Sequence, residues 1–251
     1  MRKKVPLHPN ERVDDLINQD LHIIQSDEVF SFSMDAVLLS RFCSVPYRGR
    51  IMDLCTGNGV IPLLLTARTK ASVTAVEIQE KLVDIAKRNV QMNNLEQQVE
   101  IIHGDLREMT TTYNGHFDLV TVNPPYMPAQ TGDQNKNSHF AIARHEISCT
   151  LEDVIAACGR MAKSGGKVAM VHRPSRIMDI LFLMRKYKME PKRIRWIHPK
   201  KDAEANMVLI EAIRDGKPEV RVLPPLIVYN EQQQYAEELM EIYYGKGERE
   251  Q

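Results

Sequence analysis

Between residues 50 and 171 the chain changes hydrophobic period repeatedly. Short apolar runs of strand length alternate with stretches whose apolar residues recur every three or four positions. The runs Arg50–Leu54, Ser72–Glu77, Val99–His103 and Phe117–Val122, and residues 167–171, read as buried strands. Helices are predicted over residues 61–69, 79–93 and 150–161. In the second, Leu82, Ile85, Ala86, Asn89 and Val90 fall mostly on one face, and Asn93-Asn94 stops it. Lys163-Ser164-Gly165-Gly166 leads into the fifth strand, and Pro174 opens a helix to about residue 187. This alternation predicts an α/β domain whose parallel sheet carries helices on both faces. Strands follow at 193–197, 206–213 and, after a Gly216 turn, 220–228. Their connections are too short for helical crossovers, so the final pair is expected to be antiparallel.

Residues 1–49 have another pattern. Residues 21–24 and 30–33 suggest a hairpin, and residues 35–42 a helix capped by Ser33 or a neighbour. The segment is too short to bury a core alone, so it is expected as an appendage packed on a domain of residues 50–251. The longest stretch without predicted structure is 127–148, and loops of that length are usually functional or mobile.

Composition narrows the function little. The 251 residues are 43% hydrophobic and 26% charged, as in an ordinary globular protein. Thirty-three basic and thirty-three acidic residues cancel, so attraction to a nucleic acid would need a local patch. Cys43, Cys55, Cys149 and Cys158 have no C-x-x-C spacing, which argues against a zinc site or a disulfide framework. With no apolar leader at Met1 and no run of about 18 apolar residues, a cytoplasmic location is expected.

The chemistry gathers at strand ends. Asn123-Pro124-Pro125-Tyr126 follows the fourth strand. Two prolines lack N–H groups and fix their φ angles, so the chain leaves the sheet stiffly with the Pro124 carbonyl open to a ligand. An amide oxygen, a carbonyl and an aromatic ring suit a planar group bearing –NH2, with two acceptors for its hydrogens and Tyr126 stacked on the ring. Asp53-Leu54-Cys55-Thr56-Gly57-Asn58-Gly59 closes the first strand, where open α/β sheets bind ligands. Pro62 stands where a dinucleotide fingerprint would have its third glycine. Asp53 beside the glycine turn suits a ligand carrying an ammonium and a sulfonium better than one carrying two phosphates, and S-adenosylmethionine is such a ligand. Glu77 lies at about the spacing expected of a ribose-binding acid. Asp105 is placed to accept from the adenine amino group, with Leu106 and Ile78 flanking the ring.

Taken together, these features resemble the class I S-adenosylmethionine-dependent methyltransferases. Asp53 to Gly59 resemble the family's first motif, with Thr56, Gly57 and Gly59 at the cofactor. Glu77 resembles its ribose acid, Asp105 its adenine contact, and Asn123 to Tyr126 the N-P-P-Y of its amino-methylating branch. Phe32-Ser33-Met34-Asp35-Ala36-Val37-Leu38-Leu39, Ala143-Arg144-His145-Glu146 and Val222-Leu223-Pro224-Pro225-Leu226 are similar to the bacterial tRNA1(Val) adenine-N6 methyltransferases. The resemblance spans residues 26–229. It implies a Rossmann-like, seven-stranded, mostly parallel sheet with an antiparallel final strand, and Phe32 and Ser33 beside the cofactor. It further implies N6-methylation of adenine 37 in a tRNA without metal, Asn123, Pro124, Pro125 and Tyr126 being catalytic.

Arg185, Lys186, Lys188, Lys192, Arg193, Arg195, Lys200 and Lys201 form a basic stretch with Tyr187 and Trp196 between them, a composition suited to RNA phosphates. A solvated helix end and strand would look the same. Arg144 and His145 are further RNA candidates, against an ion network of Arg144 with Glu146 at a helix entry, and Arg2, Lys3 and Lys4 read either as a basic arm or as an ordinary basic terminus. A glutamine-N5 methyltransferase acting on release factors shares the N-P-P-Y logic, though the amino-terminal segment is short for that group. Guanine-N2 methylation of ribosomal RNA, usually with Phe at the position of Tyr126, is another alternative. A nicotinamide-dependent or non-catalytic nucleotide-binding protein leaves Asn123 to Tyr126 unexplained.

Overall fold

The computed structural model describes residues 3–16, 20–27, 29, 34–109, 111–126 and 149–244. Strands β3 (Arg50–Leu54), β4 (Ser72–Glu77), β5 (Val99–His103) and β6 (Phe117–Val122) pair in parallel in the order β5-β4-β3-β6. The sheet continues through β7 (Ala162–His172), β9 (Met207–Arg214) and β8 (Met189–His198). β9 runs antiparallel to both neighbours, and the short β8–β9 connection requires this of that pair.

The interior is built as the patterns dictate. Helix α2 (Val60–Thr66) buries Val60 to Leu65 without a polar face, as a helix inside a large core does. Helix α3 (Glu80–Met92) is amphipathic, and α4 (Leu151–Met161) begins with a Thr150–Asp153 capping box. α2 and α3 join the first core cluster with α1 (Met34–Phe42). α4 and α5 (Ile177–Lys186) form the second, against which Trp196 is half-buried. α6 (Glu237–Tyr244) closes the described chain and buries Leu239.

Two expectations need correction. The strand β2 (His22–Ser26) pairs antiparallel with β1 (Glu11–Asp15), and the expected hairpin partner, residues 30–33, lies outside the described residues. β1 is strongly charged, but its charges are paired. Arg88 on α3 donates to both Glu11 oxygens at 2.7 Å and to Asp84 at 2.6 Å. Residues 163–166 lie within β7 as an irregularity opposite Phe117. There a Cβ on Gly166 would come 2.7 Å from the Phe117 carbonyl oxygen. The strand expected over 220–228, antiparallel to the one before it, is instead two short pieces, β10 (Arg221–Val222) and β11 (Leu226–Ile227), both parallel to β8. Pro224 and Pro225 between them have no N–H to continue a ladder.

Candidate active site

The carboxyl ends of β3 to β6 surround a cavity of about 650 Å³. It sits where the strand order reverses, β3 having β4 on one side and β6 on the other. The turn after β3 takes left-handed backbone at Cys55, Gly57 and Gly59. A Cβ on Gly59 would come 3.3 Å from that of Ala86, so this glycine lets α3 approach. A Cβ on Gly57 would meet nothing within 4 Å, leaving the turn's backbone open to the cavity it lines.

The turn is fixed from β4. The Thr56 N–H donates to the Val76 carbonyl at 3.0 Å, and the Gly57 N–H to Glu77 Oε2 at 2.9 Å. Glu77 Oε1 accepts from the N–H groups of Ile78 and Gln79 at 3.1 and 3.0 Å. Burial raises the Glu77 pKa despite these three donors. Asp105 also lines the cavity; Arg107 clamps it and holds its carboxyl below the ordinary range. Ile78 and Leu106 complete this wall.

Asp53 does not stand where the sequence suggests. It is wholly buried and off the cavity lining, and Oδ1 accepts from the Thr121 hydroxyl of β6 at 2.6 Å. Burial raises its pKa to about 7. It ties β3 to β6, which are paired in register at these residues. Asp35 on α1 does line the cavity.

Asn123, Pro124, Pro125 and Tyr126 form the opposite wall. The Tyr126 hydroxyl donates to Asp35 Oδ2 and lies 2.5 Å from Asn123 Oδ1. One hydroxyl proton cannot serve both oxygens, and the carboxylate is the stronger acceptor. With its proton directed to Asp35, the phenol oxygen can still accept from a donor. The Asn123 amide, turned over, supplies Nδ2 there and points Oδ1 away from Tyr126. Burial, then the Asp35 charge, raises the Tyr126 pKa far above that of an ordinary phenol, so it stays a donor. The ring meets His172 edge-on at 5.2 Å, and the Arg173 guanidinium lies 5.0 Å over it.

Residues 20–185 match the methyltransferase small domain family, which is more than half of the chain. The protein belongs to that family. It is an S-adenosylmethionine-dependent methyltransferase. A tRNA1(Val) (adenine(37)-N6)-methyltransferase from Aeromonas salmonicida is 27% identical over 194 residues, covering 76% of this chain and 80% of that protein. One of the same name from Parabacteroides distasonis is 27% identical over 179 residues, covering 70% and 74%. A crystal structure described as a predicted O-methyltransferase from Agrobacterium tumefaciens shares the fold. Its TM-score is 0.68 at 22% identity, covering 86% of this chain and 98% of that one.

In this methyltransferase the basic stretch does not form one patch. β8 spans ten residues, roughly 30 Å, and only its carboxyl end reaches the cavity, which Pro199 lines. Lys186 pairs with Glu152 at 2.6 Å, Arg185 with Glu190 at 3.3 Å, Arg193 with Glu211 at 3.2 Å and Arg195 with Glu238 at 2.6 Å. Lys192 donates to the Lys217 carbonyl, and Lys188 stands at the far end of the sheet. Lys200 and Lys201 are exposed and follow Pro199 directly in the chain, though neither lines the cavity itself. Phe32, Ser33, Arg144, His145 and Arg2 lie outside the described residues.

Sequence reasoning missed several site residues. Asn89, read as part of an apolar face, joins the appendage to the glycine turn: its Nδ2 donates to the Asn58 carbonyl at 2.9 Å and its Oδ1 accepts from the Ile24 N–H at 2.7 Å. Arg173 and His172 carry no motif in the sequence. Among the described residues no cluster of His, Cys, Asp and Glu is arranged to hold a metal ion, and no helix is long and apolar enough to cross a membrane.

Proposed function

We propose that this methyltransferase methylates N6 of an adenine in a tRNA, with adenine 37 of tRNA1(Val) as the acceptor. The observation that carries this reading is the shared cavity: Asn123 to Tyr126 form one wall, Gly57 and Glu77 the other. The curated relatives, matched over most of their length, support the choice of acceptor.

The residues fit the cofactor. Gly57 leaves room beside its backbone, Glu77 is oriented by three N–H donors to receive ribose hydroxyls, and Ile78 and Leu106 offer apolar sides to the adenine ring, with Thr56 in the turn and Asp105 near the ring's amino group. S-adenosylmethionine supplies an electrophilic methyl group on a sulfonium. The chain's own part is to make a poor nucleophile attack. Asn123 Oδ1 and the Pro124 carbonyl accept the two amino hydrogens, favouring a pyramidal nitrogen whose lone pair points at the methyl. Both acceptors strengthen as positive charge develops on nitrogen, so they act mainly in the transition state. The proton leaves after transfer and needs no strong base. The adenine must leave its stack to reach this wall, and Tyr126 replaces a lost neighbour. Lys200 and Lys201, directly after Pro199 in the chain, take RNA phosphates.

Mass spectrometry of tRNA nucleosides from a strain lacking the gene tests the reading. Loss of N6-methyladenosine from tRNA1(Val) is expected. Unchanged N6-methyladenosine with loss of release-factor glutamine methylation would replace this acceptor by the protein one.

A further inference from the structure

Among the described residues lining the cavity, Arg173 is the sole basic side chain, against the carboxylates of Asp35, Glu77 and Asp105. Those three are engaged by Tyr126, by backbone N–H groups and by Arg107 respectively. Arg173 has no carboxylate partner among the described residues. It is exposed, donates from one terminal nitrogen to the Asn206 carbonyl at 2.9 Å, and lies over the Tyr126 ring.

Its backbone is fixed. The Arg173 N–H donates to Nδ1 of the fully buried His172 at 2.8 Å, and Pro174 follows. Only the side chain is free to travel. A base and a guanidinium cannot occupy the same face of Tyr126, so a base stacking there displaces Arg173 beside the incoming nucleotide. An exposed cation–π contact and one carbonyl bond are weak ties for a planar fork of five donors that matches phosphate oxygens.

We propose that Arg173, parked on Tyr126 in the free protein, binds the phosphate next to the flipped adenine and so selects a nucleic-acid acceptor over a protein amide. The proposal rests on the RNA reading above and adds a residue that distinguishes the two acceptor classes.

The test pairs Arg173→Gln with an RNA hairpin containing the target adenine and a copy with neutral methylphosphonates on both sides of that adenine. On the ordinary hairpin, Arg173→Gln should raise KM about tenfold or more with little change in kcat. Its binding should lose about 0.7–1 from the logarithmic salt slope. On the neutralised hairpin the substitution should add little, because one contact cannot be lost twice. Arg173→Lys should restore most of the salt slope, and calorimetric affinity for S-adenosylmethionine should be unchanged. Losses that multiply across the two hairpins, or unchanged KM and salt slope, would overturn the assignment. Fluorescence anisotropy reads binding of the same hairpins without turnover. A wild-type protein that forms no N6-methyladenosine would therefore count against the RNA reading, and multiplicative binding losses against Arg173.

Discussion

Replacing Tyr126 by Phe removes one oxygen that joins two elements distant in sequence. That hydroxyl donates to Asp35, which is 7% exposed on α1, and contacts the Asn123 amide at the end of β6. Without it Asp35 keeps a buried carboxylate oxygen with one donor fewer, a loss of about 1.5–3 kcal/mol for a hydrogen bond to a charged group. For a chain of this size that lowers Tm by roughly 3–12 °C. Asn123 also loses the partner that fixes which way its amide faces. A neutral hydrogen bond of about 1 kcal/mol corresponds to a roughly fivefold slower methyl transfer. The cofactor wall does not involve this oxygen, so affinity for S-adenosylmethionine should be unchanged. Single-turnover transfer to tRNA, thermal melting and calorimetry read the three quantities separately. A variant that melts with the wild type and transfers at the same rate would make the hydroxyl a bystander and remove the argument for the orientation of Asn123.

Asn123→Ala should slow transfer by about 10²–10³, as loss of one transition-state acceptor does, while cofactor binding survives; near-normal transfer of radiolabelled methyl would refute its role. Glu77→Ala removes the acceptor of three backbone N–H groups and should weaken calorimetric binding of S-adenosylmethionine at least tenfold, unchanged affinity placing the ribose elsewhere. His172, wholly buried, has its pKa lowered by burial to about 4 from 6.5, so the unfolded chain gains a proton between those values and the folded one does not. That contribution to stability is complete above pH 6.5 and is lost as pH falls towards 4, amounting to ~3 kcal/mol. Asp53 titrates with the opposite sign over part of this range, so the readout is the difference between wild type and His172→Gln in urea unfolding from pH 7 to 4. Parallel curves would contradict the shift. Charge reversal at Lys200 and Lys201 should weaken tRNA binding and flatten its salt dependence in filter binding, whereas reversal at Lys188 and Lys192 should do neither.

The strands β3 to β6 and the residues at their ends were legible because each is a local pattern: an apolar run, then a turn, an acid or Asn123-Pro124-Pro125. What pairs across long distances was not. The charges of β1 look like surface until Arg88 is seen to bury Glu11. The basic stretch looks like one patch until its members meet Glu152, Glu211 and Glu238 and spread along β8. Asp53 sits in a motif expected at the ligand, but its strand register turns it to Thr121. Arg173 is a lone arginine before a proline, and only the return of β7 to the cavity gives it meaning.

The central claim is tested most directly with purified protein, deuterated-methyl S-adenosylmethionine and unmodified tRNA1(Val), followed by nucleoside mass spectrometry. The account predicts labelled N6-methyladenosine with the wild-type chain and about 10²–10³ less with Asn123→Ala. Label found on another nucleoside or on a release-factor glutamine, or on adenine N6 at equal rates with both proteins, would contradict it.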